Sequence, residues 1–206
     1  MFDHLRADIH RFLGPAPSLR ARLHLLFSQG FAAVVCYRCG RWLADHRPPP
    51  GLRQLCSALY FFYWKSVETC TGISIPADCR IGPGLYIGHF GQIVLNANVV
   101  MGSNCNLSQG VTIGLARRGE QIGSPRIGDR VYIAPGAKII GPIHVADGTA
   151  VGANAVVTRD TEIDAVVVGI PAKTISSTGS RFYIQHPYPP SISTPPPAPA
   201  PPADSV

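Results

Sequence analysis

A single imidazole stands out among the groups that could move a proton. His89 follows Ile87-Gly88 and precedes Phe90-Gly91, in a stretch of turn-permissive residues. An imidazole titrates near pH 6.5 when unperturbed, so it accepts a proton at neutral pH and returns it within one cycle. A general base in this role typically speeds a reaction by about 10²–10⁴-fold. The charged run Arg117-Arg118-Gly119-Glu120 offers guanidinium groups for an anionic ligand, and equally reads as a solvated loop. The six cysteines are scattered. Cys36 and Cys39 have the spacing of a metal or redox pair, but no second such pair follows and a closed zinc site needs four ligands. They read as two small apolar residues on a helix. Only His89 and His144 lie in the central region, too few for a three-histidine hydratase centre. No metal is implied.

The elements that must position His89 come from a repeat of six. Ile75, Ile81 and Ile87 are six apart; after a slip of two come Leu95, Met101, Leu107 and Ile113. After a longer interruption come Ile127, Ile133, Ile139, Val145, Val151, Val157 and Ile163. An amphipathic helix repeats at 3.6 and a simple strand at 2. A fixed six, with Gly, Asn and Asp between, is the hexapeptide pattern of a parallel β-helix. Three hexads make one triangular coil, so these residues predict about five coils, roughly 20–25 Å of stack. Four residues after most of these aliphatics comes a second small or apolar residue, such as Cys79, Leu85, Val99 or Val111. His89 sits at the first phase break, where a side chain can leave the regular wall.

Three regions follow. Residues 1–72 read as a helical N-terminal region, with Leu19, Leu23, Leu26 and Phe27 on one helix face, a break at Gly30, and a third helix from Leu52 to Val67 after Pro48-Pro49-Pro50-Gly51. The stretch Leu59 to Trp64 is apolar enough to need covering, by a core, a partner subunit or a membrane face. This region carries nine of the eighteen basic residues and four of the twelve acidic ones, which leaves peripheral membrane contact open. Residues 73–175 form the β-helix domain. Residues 176–206 are an extension, read as disordered from 187, with nine prolines among its last twenty residues. A net charge of +6 suits an anionic ligand, while 8% aromatic residues are few for a base-stacking surface, and no nucleic acid is expected. No apolar run reaches the roughly 20 residues of a membrane span, and no secretory signal opens the chain, so the cytoplasm is the expected compartment, with the inner membrane face left open.

The stretches Gly72-Ile73-Ser74-Ile75-Pro76, Ile81 to His89, Ser108 to Gly114, Pro135 to Gly141 and Gly169-Ile170-Pro171-Ala172-Lys173 resemble serine O-acetyltransferases, members of the hexapeptide-repeat acyltransferases. The resemblance implies a left-handed β-helix and a homotrimer with sites between prisms. It implies acetyl-CoA as co-substrate and His89 as the base that frees an acceptor hydroxyl to attack the thioester. It also implies CoA contacts at Gly114, Pro135, Ala153 and Lys173. The loop from Leu115 to Arg126 would enclose the site, with Arg117 near the substrate.

Four places depart from that family. Ser74 stands where an aspartate orients the histidine, Gly88 where an aspartate holds the substrate amine, Ser124 where a second histidine belongs, and an aspartate of the helical domain is replaced near Gly14-Pro15-Ala16. A buried ammonium without a carboxylate partner is costly. The departures therefore favour a sugar or exopolysaccharide precursor as acceptor, with Ser74 and Ser124 lining its site. Serine as acceptor, yielding O-acetylserine for cysteine biosynthesis, is the alternative, and a noncatalytic scaffold the third reading.

Overall fold

The structure, a computed structural model, describes residues 2–46 and 48–189. The proline-rich tail expected from 187 lies outside them apart from its first three residues.

Four helices precede the prism. They are α1 (Phe2–Leu13), α2 (Leu19–Leu26), α3 (Gln29–His46) and α4 (Pro50–Thr71). The Ser18 side chain caps α2 by accepting the Ala21 N–H at 3.1 Å. Gly72 in the left-handed region ends α4. Gly30 does not break a helix. It is the second residue of α3, and any Cβ there would collide with the Ile87 carbonyl oxygen. The expected apolar face of α2 also differs in its surroundings. Leu25 is buried, while Leu19, Leu23, Leu26 and Phe27 are exposed in the single chain, as are Leu59, Phe61 and Phe62 of α4. Periodicity reveals that such a face exists, not what covers it.

Five coils follow. The first holds β1 (Ile73–Ser74), β2 (Arg80–Ile81) and β3 (Tyr86–Ile87); the second β4 (Ile93–Leu95), β5 (Val100–Met101) and β6 (Asn106–Leu107). The third begins with β7 (Thr112–Gly114), leaves the prism in an antiparallel hairpin of β8 (Ala116–Arg118) and β9 (Gln121–Gly123), and resumes with β10 (Arg126–Ile127) and β11 (Tyr132–Ile133). The fourth holds β12 (Lys138–Ile140), β13 (His144–Val145) and β14 (Ala150–Val151). The fifth has β15 (Val156–Val157) and β16 (Val166–Val168), after which β17 (Lys173–Ser176) turns back antiparallel to β16. Stacking gives three walls: β1-β4-β7-β12-β15, β2-β5-β10-β13, and β3-β6-β11-β14-β16 with β17 at its end.

The register fixes both interruptions. Val94 pairs with Thr112 eighteen residues on, but Ile73 pairs with Ile93, two further, and Thr112 with Lys138, eight further. Thirteen of the fourteen hexad aliphatics are buried. The exception is Ile163, 70% exposed. Ala150 pairs with Val166 only sixteen residues on, so the fifth coil is two residues short and has no second-wall strand. The secondary positions Cys79, Leu85, Val99, Cys105, Val111, Ala137 and Thr149 all point inward as well. Burying each Ile or Leu contributes roughly 1.5–3 kcal/mol.

The first coil has no coil before it, and the helices supply what one would. In the second coil the carbonyls of Val99 and Met101 accept from Arg80 and Gly82. The equivalent carbonyls of the first coil are those of Cys79 and Ile81. Tyr37 Oη donates to the first at 2.9 Å, and Arg38 Nη1 to the second at 2.7 Å. Arg38 also donates to Gly82 O, while Asp8 Oδ1 accepts the N–H groups of Gly84 and Leu85. Asp8 and Arg38 form a bidentate pair, 2.7 and 3.0 Å, almost fully buried.

Two outcomes follow from this closure. Asp8→Asn leaves the Arg38 charge buried without its partner and should cost about 3 kcal/mol, read from urea unfolding at fixed protein concentration; a loss under about 1 kcal/mol would show the pair to be dispensable. His4 faces Arg38, whose Nη1 lies 3.3 Å from its Nδ1. Burial first, then the Arg38 charge, pushes the His4 imidazole below its usual value. Its proton is therefore bound more readily in the unfolded chain. The stability is complete above about pH 6.5 and falls as the pH drops from there through the depressed folded value. His4→Gln should flatten that part of the acid-unfolding profile.

Candidate active site

His89 lies in the two-residue insertion between β3 and β4, at the edge where the third wall meets the first. The insertion is anchored by its backbone: Ile93 N–H donates to Gly72 O at 3.1 Å, and Gly110 N–H to Gly91 O at 3.0 Å. The imidazole is exposed in the single chain. A Cβ at Gly88 would sit 3.2 Å from the Tyr86 ring, so a larger residue there would need that side chain to give way slightly.

The same edge continues down the stack. The turns after β11 and β14 place Pro135 and Ala153 along it, two and three coils on from His89. Lys138, on the first wall beside this edge, donates from Nζ to Gly110 O. Sequence reasoning passed over this ammonium, though it stood inside the Pro135 to Gly141 stretch. Lys173 opens β17 below the last coil and pairs with Val168, at the foot of this same edge. Gly114 lies apart, at the end of β7 on the far side of the first wall.

The residues expected to meet the acceptor do not gather around His89 within one chain. Arg117 is on β8 and Ser124 follows β9, both at the edge joining the first wall to the second. Ser124 Oγ donates to Asn96 Oδ1 at 2.8 Å. Ser74 lies on the first wall, between the two edges. Glu68 of α4, which the sequence did not single out, is paired with Lys65 at 2.6 Å, and that partner first, then Ser74, hold its carboxyl below the usual carboxylate range. Cys36 and Cys39 both lie on α3, and burial pushes the Cys36 thiol up to about 12.

Residues 124–159 match the family described as bacterial transferase hexapeptide (six repeats). The chain is 34% identical over 186 residues to a serine acetyltransferase of Synechococcus elongatus, covering 88% of this chain and 71% of that one. It is 33% identical to the Helicobacter pylori serine acetyltransferase, across 84% of this chain and 96% of the relative. This chain belongs to the serine acetyltransferase family. It is an acyltransferase, and its prism is the left-handed parallel β-helix of that family. Among solved structures, a serine acetyltransferase from Brucella abortus, crystallised with coenzyme A, superposes with a TM-score of 0.72 at 28% identity, covering 86% of this chain and 68% of the other. One from Neisseria gonorrhoeae in complex with serine gives 0.68 at 28% identity, covering 85% and 69%.

These relatives overturn the expected saccharide acceptor and, with it, a place in polysaccharide biosynthesis. Relatives 30–34% identical over most of the chain, from several bacteria, are serine acetyltransferases.

Proposed function

We propose that the chain transfers the acetyl group of acetyl-CoA directly to the hydroxyl of serine, yielding O-acetylserine and CoA. The observation that carries this reading is the position of His89, on the one edge where the repeat gains two residues, in a chain whose relatives are serine acetyltransferases. Coenzyme A and serine in complexes of two structural neighbours support the same pair of substrates.

In this mechanism His89 takes the proton of the serine hydroxyl as the oxygen attacks the thioester carbonyl. The tetrahedral intermediate collapses, the C–S bond breaks, and the imidazolium returns its proton to the departing CoA sulfur. The pantetheine arm runs along the edge marked by Pro135 and Ala153, with Lys138 beside it. Arg117 and Ser124, at the opposite edge of the first wall, reach a His89 site only from a neighbouring prism, which favours the homotrimer that the resemblance implies. We place the reaction in the cytoplasm; peripheral membrane contact by the helices is not needed for it.

CoA release with serine, hexoses and oligosaccharides as acceptors tests the assignment. Serine should be the preferred acceptor, and His89→Ala should lower kcat by about 10²–10⁴-fold with the fold intact by circular dichroism. Equal turnover by the variant would remove the base from the mechanism.

A further inference from the structure

On the third wall, beside the His89 edge, a polar cavity of about 200 Å³ opens between α1, the first two coils and the segment that follows β17. That segment folds back along the third wall. Tyr183 stacks on Tyr132 at 4.3 Å, Asn106 Nδ2 donates to Tyr183 O at 3.0 Å, and Tyr188 N–H donates to Asn104 Oδ1 at 2.8 Å. The cavity is lined by Arg11, Phe12, Tyr86, Asn106, Tyr183 and His186, with Gln185 at its rim.

Arg11 is the unusual member. Only 3% of it is exposed, yet its guanidinium meets neutral acceptors alone: Gly84 O at 3.2 Å, Gln185 O and Asn106 Oδ1. The carboxylate nearest in sequence, Asp8, is committed to Arg38 and to two backbone N–H groups. Among the described residues no carboxylate forms an ion pair with Arg11. Burial accordingly lowers its pKa to about 10. A cation removed from water without a counter-charge is costly, and an anion in the adjoining cavity would relieve that cost. Across the cavity the exposed His186 ring offers a further N–H donor. Phe12 and Tyr86, 4.7 Å apart, and Tyr183 supply aromatic walls.

The geometry points to a binding site for a small organic anion in this cavity, its oxyanion head on Arg11 and His186 and its body between the rings of Phe12, Tyr86 and Tyr183. The fork of a guanidinium matches a carboxylate or phosphate group, and the volume exceeds that of an inorganic ion alone. Because α1, the prism and the returning C-terminal segment each contribute a wall, the bound anion fastens all three together. None of its lining residues is one of those given a part in acyl transfer above, although Tyr86 borders Gly88.

Isothermal titration of the full chain, without CoA and at matched ionic strength in chloride, tests it with benzoate, acetate and inorganic phosphate as probes. Benzoate should bind one per chain with Kd on the order of 1 mM, ahead of acetate and phosphate, because only it fills the aromatic part. His186→Ala, at an exposed position, should weaken binding about tenfold without altering the melting temperature of the free protein. Arg11→Lys, which keeps the charge but loses the fork, should weaken it further. Saturating CoA should leave benzoate binding unchanged. Absence of binding by the wild type, displacement by CoA, or equal affinity in His186→Ala and Arg11→Lys would overturn the site. Phosphate binding ahead of benzoate would overturn the organic ligand.

Discussion

A stack of parallel coils has an open first rung, and the pairing of Asp8 with Arg38 closes it here. Every later coil hands its N–H and C=O groups to a neighbour. The first has none, so the carbonyls of Cys79, Ile81 and Gly82 and the N–H groups of Gly84 and Leu85 would face apolar helices unpaired. An unmet backbone group in such a place costs about 1–3 kcal/mol. One guanidinium, one carboxylate and one phenol meet five of them. The buried charges compensate each other and also stand in for a rung of the ladder. Through them the docking of α1 and α3 becomes a condition for the first coil, and the first coil carries the strand that leads into His89.

The chemistry sits where the repeat is broken, for a mechanical reason. Inside a wall each side chain is committed inward or outward by the pleat, and its backbone to the coils on either side. Two extra residues at one edge release His89 from that commitment, while Gly91 and Ile93 tie the released segment back to the stack. The eight extra residues at the opposite edge do the same for Arg117 and Ser124.

Much of this was legible in the residues. The period of six requires an inward aliphatic at every third of a turn, and it yields the walls, the coil count and both insertions. It fails at Ile163, because the shortened fifth coil turns that position outward, and nothing in an aliphatic residue announces the missing wall. The stripe of Leu19, Leu23, Leu26 and Phe27 was visible, but amphipathicity carries no information on whether its cover belongs to the same chain. The pairing of Asp8 with Arg38 spans thirty residues and has no spacing to reveal it. Single positions that depart from a family show which contact is lost, not which substrate replaces the old one, and the wrong acceptor followed from reading them that way.

Ser180, buried with its hydroxyl on the Arg130 carbonyl, marks where the chain doubles back toward its own beginning. Helix α1 and the segment around Tyr188 thereby meet on one face, with the His10 and Tyr188 rings in edge contact. The coils are thus clasped lengthwise as well as stacked. Loosening the first coils must therefore release the returning segment as well as the helix.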